Sequence, residues 1–570
     1  MEKERIELKF IFGLICVVFL GAVCCPLAIL LSKSFLQASG GVGLENYLAV
    51  LNNEEFLLSL RNSFAVSGLE AFITVVLAFV LAYGLHYTKL PEKFKSVVQI
   101  LIILPMFLPT LTYGFAVIYS LGKQGLITQI IGHQLFSIYG FWGLLISYVI
   151  YTLPPTFVLL YNAFKYVDKH FIIVSQLMGD NPLRTFYITS VRPMIGTIAA
   201  AFILSFFLSF TDFGIPASIG GQYTVVATQL YMVMMGAVPD FQSGSAIAVI
   251  MLIPSIVAVW LLRFTERFNF RYNKISTFEL ADDKVRDGFF AAVYVVVIAA
   301  IFAIFAIMFI VPFIKSWPYQ VVFTTETLQR ILSDRSIETV YTNSVMVAAA
   351  TAVIGTVLAY MAALVNARSQ LPGVCKMLMD ACAMVTNTVP GMVLGVAFLF
   401  AFTGSPIQNT FIIIILLNSV REFTTPYLMI QASLSKINMS WETTGALMGD
   451  SWLKTIFRVI IPNTMSTVFQ MLSYIFIQAM VTISAIIFVT GARTMVMTTK
   501  ITQAQYFEKY DEVFVLSLLI FLTNIIVKVI FDYLSSHDDI VLHVKQKFQS
   551  IFGKEAKRQN AGLEDLPERI

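Results

Sequence analysis

The tetrapeptide Leu177-Met178-Gly179-Asp180 occurs a second time in the chain, as Leu447-Met448-Gly449-Asp450. Each copy continues alike, with Leu183-Arg184-Thr185 after the first and Leu453-Lys454-Thr455 after the second. Both copies lie in hydrophilic stretches that interrupt a very apolar sequence. The repeated segment indicates an internal duplication, and it predicts two equivalent contact points for one symmetric partner.

The composition excludes a soluble domain. Of the 570 residues, 58% are hydrophobic and only 13% are charged, and the mean hydropathy is +0.79. Apolar runs of about 20 residues recur along the chain, which is the length that a helix needs to cross a bilayer. These runs are too long and too evenly apolar for barrel strands, which alternate in polarity over about 10 residues. We therefore expect an all-α polytopic membrane protein.

The sequence predicts twelve spans. An even number places both termini on one side, and Lys and Arg are concentrated in the loops on that side, so the termini are expected to be cytoplasmic. The spans are predicted near residues 10–32, 64–86, 98–121, 139–164, 193–215, 243–263, 289–314, 341–366, 376–402, 409–433, 462–488 and 511–533.

The two halves also match outside the repeated segment. Asn62-Ser63 matches Asn343-Ser344, and Pro109 matches Pro390, at one offset of 281 residues. Each half holds six spans, so the repeats run parallel across the membrane. The predicted domains are a first six-helix unit (1–263), a cytoplasmic linker (264–288), a second six-helix unit (289–533) and a charged cytoplasmic tail (534–570).

Each hydrophilic stretch predicts two short helices separated by a glycine. In the first copy a helix over 168–178 would end at Gly179, after which Asn181 suits an N-cap and Pro182 the first helical position. In the second copy Ser451 takes the N-cap position. The element lies between the fourth and fifth spans of each half. If this helix–glycine–helix element protrudes as a rigid unit, a force applied to it would tilt the membrane helix that follows it.

Both stretches resemble the EAA loop of bacterial ABC-importer permeases, in which a coupling helix docks on an ATPase subunit. The family pattern is Glu-Ala-Ala, three residues, Gly, nine residues and Ile-x-Leu-Pro. The second copy keeps this spacing from Gly449 to Pro462, whereas the first, from Gly179 to Pro193, is one residue longer. Neither copy keeps the Glu-Ala-Ala itself, and Glu442 stands one place early.

The resemblance implies two fused six-helix permease units of a type I ABC importer in the bacterial plasma (inner) membrane. The implied partners are two copies of an ABC ATPase subunit, an extracytoplasmic substrate-binding protein and membrane lipid, with no nucleic acid. The sequence has no Gly-x-x-x-x-Gly-Lys-Ser/Thr phosphate loop. We therefore expect no catalytic site, metal site or cofactor in the chain, with ATP and Mg²⁺ on the ATPase subunits. The expected coupling residues are Gly179, Asp180, Arg184, Glu442, Gly449, Asp450 and Lys454.

Polar residues within spans are costly and are therefore candidates for a transport pathway. Thr211 and Asp212 in the fifth span, and Thr482 and Ser484 in the eleventh, belong to the helices that follow the two loops, so we expect them to line it. The alternative is that Asp212 lies in the outer membrane interface. For the charged pair Arg421-Glu422, structural ion pairing is favoured over a role in substrate binding.

Residues 210–216 and 482–488 resemble segments of 2-aminoethylphosphonate permeases. The predicted cargo is therefore 2-aminoethylphosphonate or a related small phosphonate. Ferric iron is the alternative cargo, because fused ferric permeases belong to the same group. A secondary transporter is the alternative class, since it too can consist of two parallel six-helix halves. That class gives no reason for the duplicated loops.

Overall fold

The computed structural model describes residues 6–37, 40–265, 267, 282–369 and 371–536. Within them the regular secondary structure is helical apart from an isolated bridge between Leu36 and Val42 and a short hairpin, in which strands Ile314–Ser316 and Gln320–Phe323 pair antiparallel. The predicted all-α membrane fold is therefore confirmed. The predicted linker 264–288 and tail 534–570 lie largely outside the described residues, so the four-part domain division stays a prediction.

Eight helices of the described chain are long and apolar enough to cross a membrane, and four bent helix pairs raise the number of spans to twelve if each pair is one span. This number matches the prediction. The eight helices are Glu7–Phe35, Glu54–Tyr87, Phe141–Phe164, Pro182–Thr211, Phe241–Thr265, Lys284–Phe313, Arg335–Arg368 and Tyr510–Ser536. The pairs are Glu92–Phe107 with Thr110–Ile131, Gly373–Thr386 with Gly391–Phe402, Phe411–Arg421 with Thr424–Leu434, and Trp452–Asn463 with Met465–Val481.

Short helices connect the spans on both faces of the protein. Those outside the spans are Glu45–Leu51, Phe171–Leu177, Gly214–Ile219, Val226–Met235, Glu326–Leu332, Ser440–Leu447 and Met497–Tyr506.

The duplication is visible in the geometry of the helices. The second and eighth spans each have 34 residues and begin after a side-chain N-cap, Asn53 or Asp334. The third and ninth spans bend by 104° and 103° around Pro109 and Pro390. Proline lacks the amide hydrogen and its ring disfavours helical geometry in the residue before it, so a proline at the same place breaks both spans.

The tenth span differs from its counterpart, the fourth. The fourth span is one continuous helix although it contains Pro154 and Pro155. The tenth bends by 53° between Arg421 and Thr424. Pro426 explains this break, because a proline ring in a helix clashes with the carbonyl four residues earlier, here that of Glu422. The bend places Arg421 and Glu422 at a helix end within the bundle.

The two halves interlock through their first spans. The seventh span packs on the first half, where the Tyr294 hydroxyl donates to the Leu81 carbonyl at 2.9 Å and the Ser120 hydroxyl donates to the Ile304 carbonyl at 2.7 Å. The first span packs on the second half, where the rings of Phe19 and Phe423 lie 4.8 Å apart, edge to face. Each half therefore completes the core of the other.

Candidate functional site

The first duplicated loop has the predicted fold. Its first helix, Phe171–Leu177, stops before Gly179, which has a φ of 78°. Residues other than glycine rarely adopt that conformation, because their Cβ disfavours it. The Asn181 side chain then accepts the amide hydrogen of Arg184 at 2.8 Å, and Pro182 opens the next helix. The N-cap prediction for Asn181 is confirmed.

The second loop repeats this geometry. Its first helix is Ser440–Leu447, Gly449 has a φ of 77°, and the Ser451 hydroxyl accepts the Lys454 amide hydrogen at 3.4 Å. In both loops the second helix continues through one π-helical turn, Tyr187–Val191 or Ile456–Ile460, towards the membrane span. The first loop is therefore joined to the fifth span by nearly continuous helix, whereas the second loop reaches the eleventh span through a bend of 75° between Asn463 and Met465.

Asp180 and Asp450, the last residues of the two tetrapeptide copies, close the turn at the loop glycine. The Asp180 amide donates to the Ser175 carbonyl at 3.1 Å, and the Asp450 amide donates to the Gly445 carbonyl at 3.0 Å. Their carboxylates form ion pairs one helical turn along, Asp180 with Arg184 at 3.0 Å and Asp450 with Lys454. Four of the predicted coupling residues thus fix the shape of the loops.

The tips of both loops carry an exposed apolar pair. Leu177 and Met178 are 82% and 78% exposed, and Leu447 and Met448 are 83% and 79% exposed. Large apolar side chains this exposed at a loop tip are typical of a docking surface. Sequence reasoning did not single them out, although they are the first two residues of the repeated phrase. We call them the two Leu-Met tips.

Glu442, also predicted as a coupling residue, does not lie at a tip. Its side chain is 3% exposed and pairs with Arg368 at 3.4 Å. Its other carboxylate oxygen accepts the Trp452 indole hydrogen at 3.0 Å. Glu442 therefore holds the loop to its surroundings from within.

The predicted pathway residues lie where the fifth and eleventh spans end. Thr211 is the last helical residue of the fifth span, and its hydroxyl donates to the Phe207 carbonyl of the same helix. Asp212 is extended and only 7% exposed, and its carboxylate accepts the Ile215 amide hydrogen at 2.8 Å. It thereby caps the short helix Gly214–Ile219. Asp212 is buried inside the protein, and its part in transport stays a prediction.

The eleventh span ends in the same way, at Thr482. The Thr482 hydroxyl accepts a hydrogen bond from the Arg421 guanidinium at 2.9 Å. Ser484 lies against Gly391, where a Cβ would come within 2.5 Å of its hydroxyl oxygen. Arg421 also pairs with Glu422 at 3.6 Å. The breaks in the ninth and tenth spans therefore meet the end of the eleventh at one polar cluster.

This cluster joins the two halves. Arg421 interacts electrostatically with Asp212 of the first half. Tyr151, which stands in the fourth span where Arg421 stands in the tenth, interacts electrostatically with both of them. Its ring lies 5.6 Å from that of Tyr113, edge to face. Arg421, Tyr151 and Tyr113 are thus candidate site residues that sequence reasoning missed or assigned to structure.

Glu70 lies among three spans of the first half, and it too interacts electrostatically with Tyr151. One of its carboxylate oxygens accepts the hydroxyl hydrogens of Thr74 and Ser205, both at 2.8 Å, and contacts the Thr152 hydroxyl. Among the residues that the structure describes, no group of three or more His, Cys, Asp or Glu side chains could hold a metal ion.

Comparisons with known proteins agree with this geometry. Residues 74–271 and 355–537 each match the family described as "Binding-protein-dependent transport system inner membrane component". The chain is 25% identical over 518 residues to the ferric transport system permease protein FbpB of Actinobacillus pleuropneumoniae, covering 87% of this chain and 74% of that protein. It is 26% identical over 516 residues to the putative ferric transport system permease protein FbpB 1 of Haemophilus influenzae, covering 87% and 80%.

A shorter relative matches only part of the chain. The spermidine/putrescine transport system permease protein PotC of Escherichia coli K12 is 24% identical over 244 residues, which are 41% of this chain and 85% of that protein. Two family domains in one chain explain this difference in length, and they exclude the secondary-transporter alternative. The chain belongs to the binding-protein-dependent transport system inner membrane components, as a fused, multi-pass permease subunit of a type I ABC importer.

Proposed function

We propose that this chain is the permease of a ferric iron importer, driven by two copies of one ABC ATPase that dock on its two loops. The observation that carries the docking is the equivalence of the two Leu-Met tips, which have the same residues, glycine conformation and exposure. Two equivalent Leu-Met tips fit two identical partners, so two copies of one subunit explain the geometry without further assumption. ATP and Mg²⁺ would bind those subunits.

The tips would lie on the cytoplasmic face, together with both termini. Lys and Arg are concentrated in the loops on that side, as the positive-inside rule requires. A substrate-binding protein would then deliver cargo to the opposite face. Movement of the ATPases would be transmitted through the loop helices to the fifth and eleventh spans, whose ends carry Asp212 and Thr482. Tilting these spans would open the polar cluster alternately to either side.

The choice of ferric iron rests on the relatives and on the oxygen-rich cluster. The two relatives that cover 87% of this chain are named for ferric transport, whereas the predicted phosphonate cargo has no support from the relatives described above. Asp212 and Glu422 each interact electrostatically with the Tyr151 phenol. Hard metal cations favour oxygen donors of this kind. The anionic phosphonate group of the other cargo would need a cation, and Arg421 already donates to Thr482 and is ion-paired with Glu422.

The cargo can be tested by uptake in cells. A strain that lacks this chain is compared with the same strain complemented by it, with radiolabelled ferric iron and radiolabelled 2-aminoethylphosphonate as separate probes. We expect complementation to restore ferric iron uptake and to leave phosphonate uptake unchanged. Restored phosphonate uptake with unchanged iron uptake would overturn the iron assignment in favour of the phosphonate.

A further inference from the structure

The second loop is tied to the eighth span by a buried ionic network. Arg368 is the last residue of that span. Its guanidinium donates to the carbonyls of Leu434 at 2.8 Å and Ile437 at 2.9 Å, which lie where the tenth span ends and the loop begins. Its Nε lies 3.4 Å from the Glu442 carboxylate. One side chain thus joins a membrane span, the entry to the loop and the first loop helix.

Glu442 extends the network to the second loop helix. Its other carboxylate oxygen accepts the indole hydrogen of Trp452, the first residue of that helix. The side chains of Arg368 and Glu442 are only 2% and 3% exposed. Water therefore does not screen the pair, and the planar guanidinium fixes its two backbone carbonyls in direction as well as distance. Both helices of the second loop are held to the eighth span.

The first loop has a different anchor at the same place. Tyr87, the last residue of the second span, stands where Arg368 stands, and Ile172 stands where Glu442 stands. Here Lys169 of the loop donates to the His86 carbonyl at 2.7 Å and lies 5.4 Å from the Tyr87 ring centre. Burial and the neighbouring Lys95 lower the pKa of Lys169, which means that keeping this lysine charged costs free energy.

The two anchors differ in stiffness. A guanidinium bonded to two carbonyls and paired with a carboxylate has a defined geometry, whereas a lysine is a point charge on a flexible stem. The first anchor reaches one backbone carbonyl, and the second spans a membrane helix and both loop helices. A displacement of the second loop must therefore move the eighth span with it. The first loop is held to the second span by one hydrogen bond and by ring packing of Phe186 on Phe79 and Tyr83, at 6.1 and 5.3 Å, and ring packing fixes no bond direction.

We propose that the second loop is the principal route by which ATPase movement reaches the membrane spans, with Arg368 and Glu442 as its positioning residues. This inference rests on the proposed docking of ATPases on the two loops. It makes the two halves unequal in function although their tips are equivalent. The eighth span packs on the tenth and eleventh, so the second route ends at Arg421 and Thr482 of the polar cluster.

The test uses the full chain with its ATPase subunits and binding protein in proteoliposomes. Removing one member of a buried ion pair leaves an unpaired charge and can unfold a protein, so the decisive variant is the double change Arg368→Met with Glu442→Gln. It removes both charges, and the glutamine oxygen still accepts the Trp452 hydrogen. The matched variant in the first half is Lys169→Met. The readouts are ATPase retention on the purified chain and cargo transported per ATP hydrolysed.

We expect the double variant to retain its ATPase subunits while transport per ATP falls by about tenfold, a usual size for a lost coupling between sites. Lys169→Met should lower the same ratio by about twofold at most. An unchanged ratio in the double variant, or an equal fall in Lys169→Met, overturns the inference. Loss of the ATPase from the double variant alone also overturns it, because the network would then serve docking. If the unmodified chain itself holds no ATPase, the proposed function fails instead.

Discussion

At the scale of single residues, Asp212 allows charge and structure to be separated. Its carboxylate accepts the Ile215 amide hydrogen and interacts electrostatically with Arg421. Asp212→Asn keeps an oxygen for the amide but removes the charge, whereas Asp212→Ala also removes the cap. We expect Asp212→Asn to lower transport roughly tenfold, because losing a charge interaction worth about 1.4 kcal/mol in the transport step slows that step by a factor of ten. The measurement is uptake of labelled cargo into proteoliposomes.

The control for Asp212 is the stability of the same variants. Asp212→Asn should melt close to the unmodified protein, and Asp212→Ala should lose about 1 kcal/mol with the cap. ATPase retention should be normal in both. Unchanged transport in Asp212→Asn would show that this carboxylate is only a helix cap.

Sequence reasoning identified Asp212, Thr482 and Ser484 as members of this cluster, but it did not identify the others. Asp212 was found because a carboxylate within a span is costly, and Thr482 because it is the duplicated counterpart. Arg421 was assigned to structural ion pairing. Its position at the cluster depends on the break in the tenth span, which Pro426 causes and the fourth span lacks. A proline pattern does not by itself tell a bent helix from a straight one, as Pro154 and Pro155 show.

At the scale of elements, the two loop glycines can be tested together. Gly179 and Gly449 both have positive φ, and a Cβ at either would meet nothing within 4 Å. The constraint is therefore backbone conformation rather than space. Valine at both positions should abolish ATP-driven uptake, since a β-branched residue strongly disfavours positive φ. Asparagine at both should largely preserve uptake, because asparagine tolerates that conformation.

Membrane insertion serves as the control for the glycine variants. Both double variants should reach the membrane in normal amount, because the loops lie outside the apolar spans. Uptake that is normal with valine at both positions would contradict the role of the loop conformation. Equal loss with asparagine and valine would instead indicate that any side chain there collides with the docked partner.

The loops also show which contacts a local sequence pattern can predict and which it cannot. The helix–glycine–helix fold, the Asn181 cap and the Ser451 cap were predicted from local residue preferences, which act over a few residues. The inward turn of Glu442 was not predicted. It depends on Arg368, 74 positions earlier in the chain, and local patterns carry no information on such a contact.

At the scale of the whole molecule, duplication fixes the number of spans and the equivalence of the tips, but not how the halves meet. Offsets of matching residues predicted two parallel six-helix units, and the twelve spans agree. The packing of each first span on the opposite half, through Phe19 and Tyr294, follows from tertiary contacts alone. Because the halves interlock, forces on either loop act on one shared core rather than on two independent units.

The equivalence of the two Leu-Met tips leads to a prediction about the number of ATPase subunits that the chain binds. Two equivalent Leu-Met tips on one 63.7-kDa chain should bind two identical ATPase subunits. We expect native mass spectrometry of the gently purified complex to give one chain plus two ATPase masses. Replacing Leu447 and Met448 by serine should leave a complex with a single ATPase, since an apolar tip loses its burial energy when it becomes polar. The same replacement at Leu177 and Met178 is the matched control and should also leave one. A wild-type complex that holds only one ATPase, or two different ones, would contradict equivalent docking.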